Sequence, residues 1–231
     1  MIPEGAALAR IRQPALGHLV TDMLRDMITN GELLPGEHLK EAELAAALKV
    51  SRGPIREAFA QLEAEGHVEL RRHRGAFVNT LTRADVEEVH TLRKAIEQLA
   101  AERACTRMGE EGLHKLDEVL EQMRHVDTTD GPDDAVQADL RFHDIIYAYS
   151  EHSRVQRVWE SIRGQVTVFL RARNVAFPDF ADVGYPEHRE LRDALAQGEP
   201  RLARDAIDKH IKGAYERLKL LNLPDTRPQS S

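Results

Sequence analysis

The stretch of residues 49–58 most constrains the fold of this chain, because it is typical of the start of a helix whose first exposed turns are basic. Ser51 is a favourable N-cap, and Pro54 falls in the first turn, where a missing backbone N–H costs little. Arg52 and Arg56 lie four residues apart, so they project from one face of the helix. The apolar residues form a separate stripe, namely Ile55, Phe59 and Leu62. The basic face is therefore not needed for the core.

Two guanidinium groups on such a face suit the major groove of DNA, where arginine pairs bidentately with guanine. The N-terminus of a helix also favours a nearby phosphate. We therefore expect this helix to contact DNA through five residues, which are Lys49, Ser51, Arg52, Gly53 and Arg56.

The flanking segments predict a winged helix-turn-helix over residues 10–78. Residues 16–28 and 41–48 have amphipathic helical patterns, and only Lys49-Val50 separates the second pattern from the basic helix. Two short strands are predicted downstream, at 68–70 and 76–78. The hairpin tip between them is basic and suits phosphates or a minor groove. Its expected DNA-contacting residues are Arg71, Arg72, Arg74 and Gly75.

The distribution of charge supports DNA binding better than the net charge does. The chain carries a net charge of −7, but its basic residues in this region are concentrated on the basic helix and the hairpin tip. We expect the acidic residues of the region to lie elsewhere, examples being Asp22, Asp26, Glu32 and Glu63. Either basic cluster alone would fit solvated surface arginines. Both together, at the spacing of a winged helix, favour DNA as the partner.

Several motifs in this region, taken together, resemble the N-terminal domain of GntR-family transcription regulators. These motifs are Gly31-Glu32-Leu33-Leu34-Pro35-Gly36-Glu37, Glu43-Leu44-Ala45, Val50-Ser51-Arg52 with Pro54, Arg56-Glu57-Ala58, Leu62-Glu63-Ala64-Glu65-Gly66 and Arg74-Gly75-Ala76-Phe77-Val78. The resemblance implies a sequence-specific transcription regulator that binds an inverted-repeat operator as a homodimer. Gly53 departs from the hydroxyl residue usual at that place in the family, so one phosphate or base contact is expected to be missing.

After Val78 the sequence changes to continuous helical patterns. Residues 79–83 are expected to be a linker, and Thr82 is a suitable N-cap for a long helix. Six helical patterns follow, at roughly 83–108, 111–127, 132–150, 152–174, 184–197 and 200–221. We therefore predict a mainly α protein whose second domain, residues 84–222, is an all-α bundle of six or seven helices. A disordered tail is expected at 223–231.

Two further features favour a cytoplasmic protein. No apolar run is long enough to cross a bilayer, and the N-terminus lacks the basic-then-apolar pattern of a signal peptide. We expect no interaction with a membrane.

The single cysteine, Cys105, excludes an intrachain disulfide and is expected to be an apolar filler in a helix.

Potential metal ligands are concentrated in the second half of the chain. Asp139 and His143 lie one helical turn apart, and His188 and His210 lie on two later predicted helices. Imidazole and carboxylate suit zinc first, with nickel, manganese, cobalt or iron as alternatives. The chain has eleven histidines, however, so spacing alone favours an acid–histidine pair that merely forms a hydrogen bond over a metal site.

The same half of the chain resembles the FCD ligand-binding domain of the FadR-like branch of the GntR family, with six helices being closer to the VanR-like subgroup. The motifs are Asp139-Leu140-Arg141-Phe142-His143, Glu187-His188-Arg189-Glu190-Leu191-Arg192-Asp193-Ala194-Leu195 and His210-Ile211. The resemblance implies that Asp139, His143, His188 and His210 bind a divalent metal ion that faces an effector cavity.

Arg93 and Glu97 match an arginine and a glutamate of the first bundle helix of that family. From spacing alone, such a pair is a solvated surface ion pair. The resemblance instead implies that Arg93 holds an effector carboxylate opposite the metal ion. Three other arginines could do the same, namely Arg163, Arg171 and Arg173.

These patterns together predict a DNA-binding transcription regulator, a repressor by resemblance, whose operator affinity is controlled by a small organic acid bound near the metal ion. The alternative from another class is a metal-dependent hydrolase or lyase that uses the Asp and three His to activate water. The sequence has no HExxH motif, nucleophile elbow, P-loop or glycine-rich dinucleotide loop. We therefore expect that the protein is not an enzyme.

Overall fold

The computed structural model describes residues 4–72, 74–126 and 132–225, with side chains from residue 16 onward. The chain divides between Thr80 and Leu81 into two compact units, called here the N-terminal unit and the C-terminal unit. None of the helices in the described part of the chain has the length and apolar content that a bilayer span requires.

The N-terminal unit is a winged helix-turn-helix, as predicted. Its elements are α1 (Glu4–Thr29), β1 (His38–Leu39), α2 (Glu41–Ala47), α3 (Arg52–Ala64), β2 (Val68–Arg71) and β3 (Gly75–Val78). The strands form an antiparallel sheet in the order β1-β3-β2. Strand β1 was not predicted, because two residues are too few to show an alternating pattern. The helix α1 begins at Glu4, before the expected start of the domain at residue 10.

The apolar stripe of α3 forms the centre of the N-terminal core. Ile55 and Leu62 are fully buried, and they share one apolar cluster with Leu24 of α1. Two leucines from the apolar pattern of α1, Leu16 and Leu19, are instead exposed. Burial of the stripe leaves the other face of α3 at the surface.

The two ends of α3 are terminated in different ways. Ser51 occupies the N-cap position with an extended backbone, but its hydroxyl makes no capping hydrogen bond. Gly66 stands just after the C-cap at φ +76°, the left-handed conformation that glycine adopts without strain. Glycine therefore ends the helix, whereas Ser51 stands at the predicted cap position without making the capping hydrogen bond.

The C-terminal unit contains six α-helices within the described residues. They are α4 (Arg83–Ala104), α5 (Gly109–Arg124), α6 (Asp133–Tyr149), α7 (Ser153–Ala176), α8 (Tyr185–Ala196) and α9 (Pro200–Lys219). A five-residue π-helical turn, Phe180–Gly184, precedes α8 and was not predicted. The predicted cap of α4 is present, because Thr82 and Asp85 form a reciprocal capping box. Helix α4 packs against α6, α7 and α9 and is thus the central helix of the bundle.

The predicted disordered tail is wrong in its first residues. The backbone N–H of Arg83 donates a hydrogen bond to the carbonyl of Pro224, and Nε of Arg83 donates one to the carbonyl of Leu223. These contacts fix the chain after α9 against the start of α4. Residues 226–231 of the expected tail, and 127–131 between α5 and α6, lie outside the described residues.

His67 is an unusual residue in the N-terminal core. It lies between α3 and β2 and is 1% exposed, and neither ring nitrogen has a hydrogen-bond partner among the described residues. Burial lowers the pKa of His67 to about 4, with Glu65 opposing this shift and Arg25 adding to it. The imidazole is therefore neutral in the folded protein at neutral pH.

We predict that His67 makes the N-terminal unit less stable in acid. Above the unfolded pKa of about 6.5 both states are neutral, but below it the unfolded chain binds a proton that the folded state does not, so stability falls between pH 6.5 and about 4. Hydrogen exchange of α3 amides in a denaturant series should show a loss of about 2 kcal/mol from pH 7.5 to pH 5, and H67L should remove most of it. The exposed His18 provides the control H18L. An equal pH dependence in the parent and H67L would contradict the prediction.

Candidate DNA-binding surface and metal centre

The exposed face of α3 begins with the two predicted arginines. The side chains of Arg52 and Arg56 are 64% and 68% exposed. Both face Glu41 at the start of α2, with Nε of Arg56 2.8 Å from Oε2 and Nε of Arg52 3.8 Å from Oε1. The hydrogen bond that Arg56 donates to Glu41 raises the pKa of Arg56. The expectation that acidic residues lie away from the basic helix is therefore wrong at Glu41. It is also wrong at Glu63, which is part of α3 and accepts a hydrogen bond from the backbone N–H of Leu70 in β2.

Glu41 has a position that the sequence did not reveal. It precedes the two arginines by 11 and 15 residues, so no helical spacing relates them, and only the tight turn between α2 and α3 brings the three side chains together. An exposed ion pair of this kind is weak. Contact with Glu41 can therefore hold the two guanidinium groups over the start of α3 and still break when a DNA phosphate or base competes for them.

The basic residues of the wing differ in their surroundings. The guanidinium of Arg71 lies 4.4 Å from the ring centroid of Phe77, and its Nη2 lies 3.0 Å from Oε2 of Glu69. Arg72 and Arg74 are exposed in the turn between β2 and β3. Gly75 has φ +89°, and a Cβ there would lie 2.9 Å from Nε2 of His38, so the tip requires glycine. Of the remaining predicted residues, Lys49 is exposed in the turn between α2 and α3, and Gly53 is exposed in the first turn of α3.

The four predicted metal ligands converge inside the C-terminal unit. Asp139 and His143 come from α6, His188 from α8 and His210 from α9. All four are buried, and one ligand atom from each lies within 4.8 Å of the others. Nε2 of His143 is 3.2 Å from Nε2 of His210, and Nε2 of His188 is 3.4 Å from Oδ2 of Asp139. Asp139 and His143 are 3.7 Å apart at Oδ1 and Nε2, too far for the simple hydrogen bond that spacing also allowed.

The outer nitrogens of two histidines lie close to oxygen atoms. Nδ1 of His143 lies 2.6 Å from Oε2 of Glu97, and Nδ1 of His188 lies 2.7 Å from the carbonyl oxygen of Gly184. With the hydrogen on each Nδ1, the lone pairs of both Nε2 atoms point to the centre of the cluster. This is how acceptors around a metal site orient imidazole ligands.

The chemistry of the cluster fits a divalent metal ion. Oδ1 of Asp139, Nε2 of His188 and Nδ1 of His210 have no hydrogen-bond partner in the described part of the chain. Burial lowers the pKa of His188, against the opposing effect of Asp139, and burial together with the neighbouring histidines lowers the pKa of His210 well below its usual value. Neutral imidazoles and one carboxylate are ligands that zinc, nickel, manganese, cobalt and iron accept.

Arg93 and Glu97 form a buried pair beside this cluster. Their side chains are 9% and 2% exposed, and Nε of Arg93 donates a 2.6 Å hydrogen bond to Oε1 of Glu97. Burial alone would raise the pKa of Glu97, but Arg93 and His143 outweigh it and lower the pKa to about 2. The interpretation as a solvated surface pair is therefore wrong. Among the described residues, the Nη atoms of Arg93 have no hydrogen-bond acceptor.

The other three candidate arginines each contact a carboxylate away from the cluster. Arg163 binds Asp144, Arg171 contacts Asp133 and Arg173 lies 2.5 Å from Oδ1 of Asp179. Among the described residues, Arg93 is the one of the four whose ion-pair partner, Glu97, is also in an ion pair with a predicted metal ligand, His143.

The π-helical turn explains how Gly184 reaches His188. A Cβ at Gly184 would lie 2.6 Å from Cδ2 of the buried Phe180, so the turn closes only with glycine at this position. In the sequence, residue 184 only begins the helical pattern predicted at 184–197, and nothing there indicates that its carbonyl lies against a candidate ligand. A π-helical turn at a candidate site is consistent with the frequent occurrence of such turns at functional sites.

Comparisons with known proteins identify the family of both units. Residues 17–78 match the gntR family of bacterial regulatory proteins, and residues 88–213 match the FCD domain. The chain is similar to the probable D-xylose utilization operon transcriptional repressor of Paenarthrobacter nicotinovorans, with 31% identity over 212 residues that cover 89% of this chain and 90% of the relative. It is also similar to the uncharacterized HTH-type transcriptional regulator YdhC of Bacillus subtilis (strain 168), with 29% identity over 86% of this chain and 88% of that protein.

A solved structure extends the similarity to the fold. The crystal structure of a transcriptional regulator GntR from Rhodococcus sp. RHA1 matches with a TM-score of 0.72 and 25% identity, covering 88% of this chain and 97% of that one. The relatives are transcription regulators and not enzymes, so the hydrolase or lyase alternative is not supported. This chain belongs to the GntR family of bacterial transcription regulators and combines a DNA-binding winged helix-turn-helix with an FCD domain.

Proposed function

We propose that this regulator is a repressor whose operator affinity is controlled by a small carboxylate bound beside a divalent metal ion in the C-terminal unit. The observation that carries the proposal is the convergence of four buried ligand atoms within 4.8 Å. The name of the similar D-xylose operon repressor supports the sign of control. A homodimer would present two copies of α3 to an inverted-repeat operator.

In the N-terminal unit, DNA recognition is assigned to α3 and the wing. Arg52 and Arg56 would exchange Glu41 for guanine edges or phosphates in the major groove. Arg72 and Arg74 would contact phosphates, while Arg71 is held against Phe77 and stiffens the wing. The rest of the proposed contact set is Lys49, Ser51, Gly53 and Gly75.

In the C-terminal unit, Asp139, His143, His188 and His210 would hold the metal ion, with zinc as the first choice. A bound divalent ion supplies an electrophilic centre for an oxygen atom of the effector. Arg93 would bind the effector carboxylate through its two Nη groups, because Glu97 occupies its Nε only. Control of DNA binding then requires the effector to bind two arrangements of the regulator with a difference of about 1–3 kcal/mol.

Alanine at either arginine of α3 should weaken specific binding. R52A and R56A each remove a guanidinium from the exposed face, so we expect a loss of about 1–3 kcal/mol in specific operator binding. Fluorescence anisotropy with an operator selected from genomic fragments would measure it. The control is R154A, which changes an exposed arginine of α7. Unchanged operator affinity in both α3 variants would rule out this surface.

Removal of a ligand should lower the metal content without unfolding the N-terminal unit. H143A and H210A each delete one of four donors, so we expect both proteins to retain much less zinc than the parent after dialysis. Elemental analysis measures the metal, and hydrogen exchange of α3 reports the fold of the N-terminal unit. H114A is the control, because the His114 side chain is 75% exposed. Equal zinc in all four proteins would refute the site.

The carboxylate behind His143 should tune metal affinity. E97Q keeps the shape of Glu97 but removes the charge that orients Nδ1 of His143, so zinc affinity should fall about 10–100-fold in a chelator competition. E102Q is the matched control on the same helix, since Glu102 contacts Arg204 instead. If E97Q and the parent bind zinc with the same affinity within experimental error, Glu97 has no such role.

A further inference from the structure

Tyr147 is a buried residue beside the proposed metal site that the function described so far does not use. It follows His143 by one turn and Asp139 by two turns on α6, so all three lie on the same face of the helix. The residue is 1% exposed. Its hydroxyl has no hydrogen-bond partner among the described residues. Burial and the nearby Glu97 raise the pKa of Tyr147, so the hydroxyl keeps its proton.

This lack of a partner separates Tyr147 from other hydroxyl groups of the C-terminal unit. Oγ of Ser150 donates to the carbonyl of Tyr147, and the hydroxyl of Thr82 is bonded to Asp85. On the same helix, the hydroxyl of Tyr149 donates to Glu111. Buried polar groups are nearly always paired, and an exception in a native structure requires an explanation. A bound ligand that supplies the missing partner is one such explanation.

The surroundings of Tyr147 include residues of the proposed effector site. Its ring stacks on Trp159 with centroids 4.8 Å apart and an interplanar angle of 16°. The ring of Trp159 also lies 5.9 Å from the guanidinium carbon of Arg93 and 6.2 Å from the ring of His143. One indole therefore contacts the tyrosine, the proposed carboxylate-binding arginine and a proposed metal ligand.

Trp159 is itself held in a fixed orientation. Its Nε1 donates a 2.6 Å hydrogen bond to Oδ1 of Asp144, and Nη2 of Arg163 lies 2.9 Å from Oδ2 of the same carboxylate. Because its polar atom is satisfied, the indole offers only an apolar face to the site. The position of the Tyr147 hydroxyl is thus set by packing against a ring that cannot easily turn.

We propose that Tyr147 is a specificity-determining residue of the effector site, whose hydroxyl hydrogen-bonds a hydroxyl or oxo oxygen that the effector carries beside its carboxylate. The inference rests on the proposed function, because it takes the carboxylate to be bound by Arg93. A site that hydrogen-bonds a ligand oxygen discriminates strongly against the analogue that lacks it, since the protein group is then left buried and unpaired. A tyrosine with no other partner would therefore act as the discriminating group.

The test compares matched acids on the zinc-loaded full chain. The probe pairs are lactate with propionate, malate with succinate, and 2-oxoglutarate with glutarate. Thermal-shift titration and operator release should show that the parent prefers the oxygen-bearing member of at least one pair by about tenfold or more. Y147F should reduce that preference to within about threefold, with unchanged zinc content and unchanged operator affinity in the absence of acid. Y149F, which removes a hydroxyl bonded to Glu111 on the same helix, should keep the preference.

The outcomes separate this inference from the proposed function. If acids release the operator but the preference is absent from the parent or survives in Y147F, the inference is overturned and the proposed function stands. If no acid changes either the melting temperature or the operator affinity, both are overturned. The acid-free proteins give a second readout: Y147F should unfold at the same or a higher temperature than the parent, and a melting temperature several degrees lower would show that the hydroxyl has a structural partner instead.

Discussion

The candidate metal centre of the C-terminal unit depends on the balance of charge among its buried side chains. Burial favours neutral His188 and His210, and it would neutralise Glu97 as well if Arg93 and His143 were not in contact with it. Charged groups at this depth persist only when each has a partner. The arrangement brings ligand atoms of three histidines and one aspartate within 4.8 Å of one another, which suits the binding of a divalent ion.

The two units differ in whether their candidate binding arginines are exposed or buried, and this difference fits a regulator. In the N-terminal unit the arginines of α3 are exposed and only weakly held by Glu41, so they remain available to DNA. In the C-terminal unit Arg93 is buried and paired through Nε, so it is available only to a small molecule that enters the bundle. In the proposed function, the surface arginines would serve a large polyanion and the buried one a small anion.

Local patterns predicted a large part of the fold and the identity of the candidate ligands. Three features could be predicted because each depends on helical geometry among residues that are close in sequence. They are the apolar stripe of α3, the Thr82 cap and the Asp139–His143 spacing. The contacts of Glu41, Glu97 and Tyr147 were not predictable, because they join residues on different helices and depend on packing. The π-helical turn and β1 were missed because each is too short for its period to appear.

The most direct test of the central claim is X-ray absorption spectroscopy of the zinc-loaded full-length protein. Three imidazoles from His143, His188 and His210 and one carboxylate from Asp139 should give nitrogen and oxygen neighbours at about 2.0–2.2 Å, with clear imidazole scattering. A spectrum with sulfur neighbours, or with oxygen neighbours and no imidazole scattering, would contradict the assignment of this cluster as the metal centre.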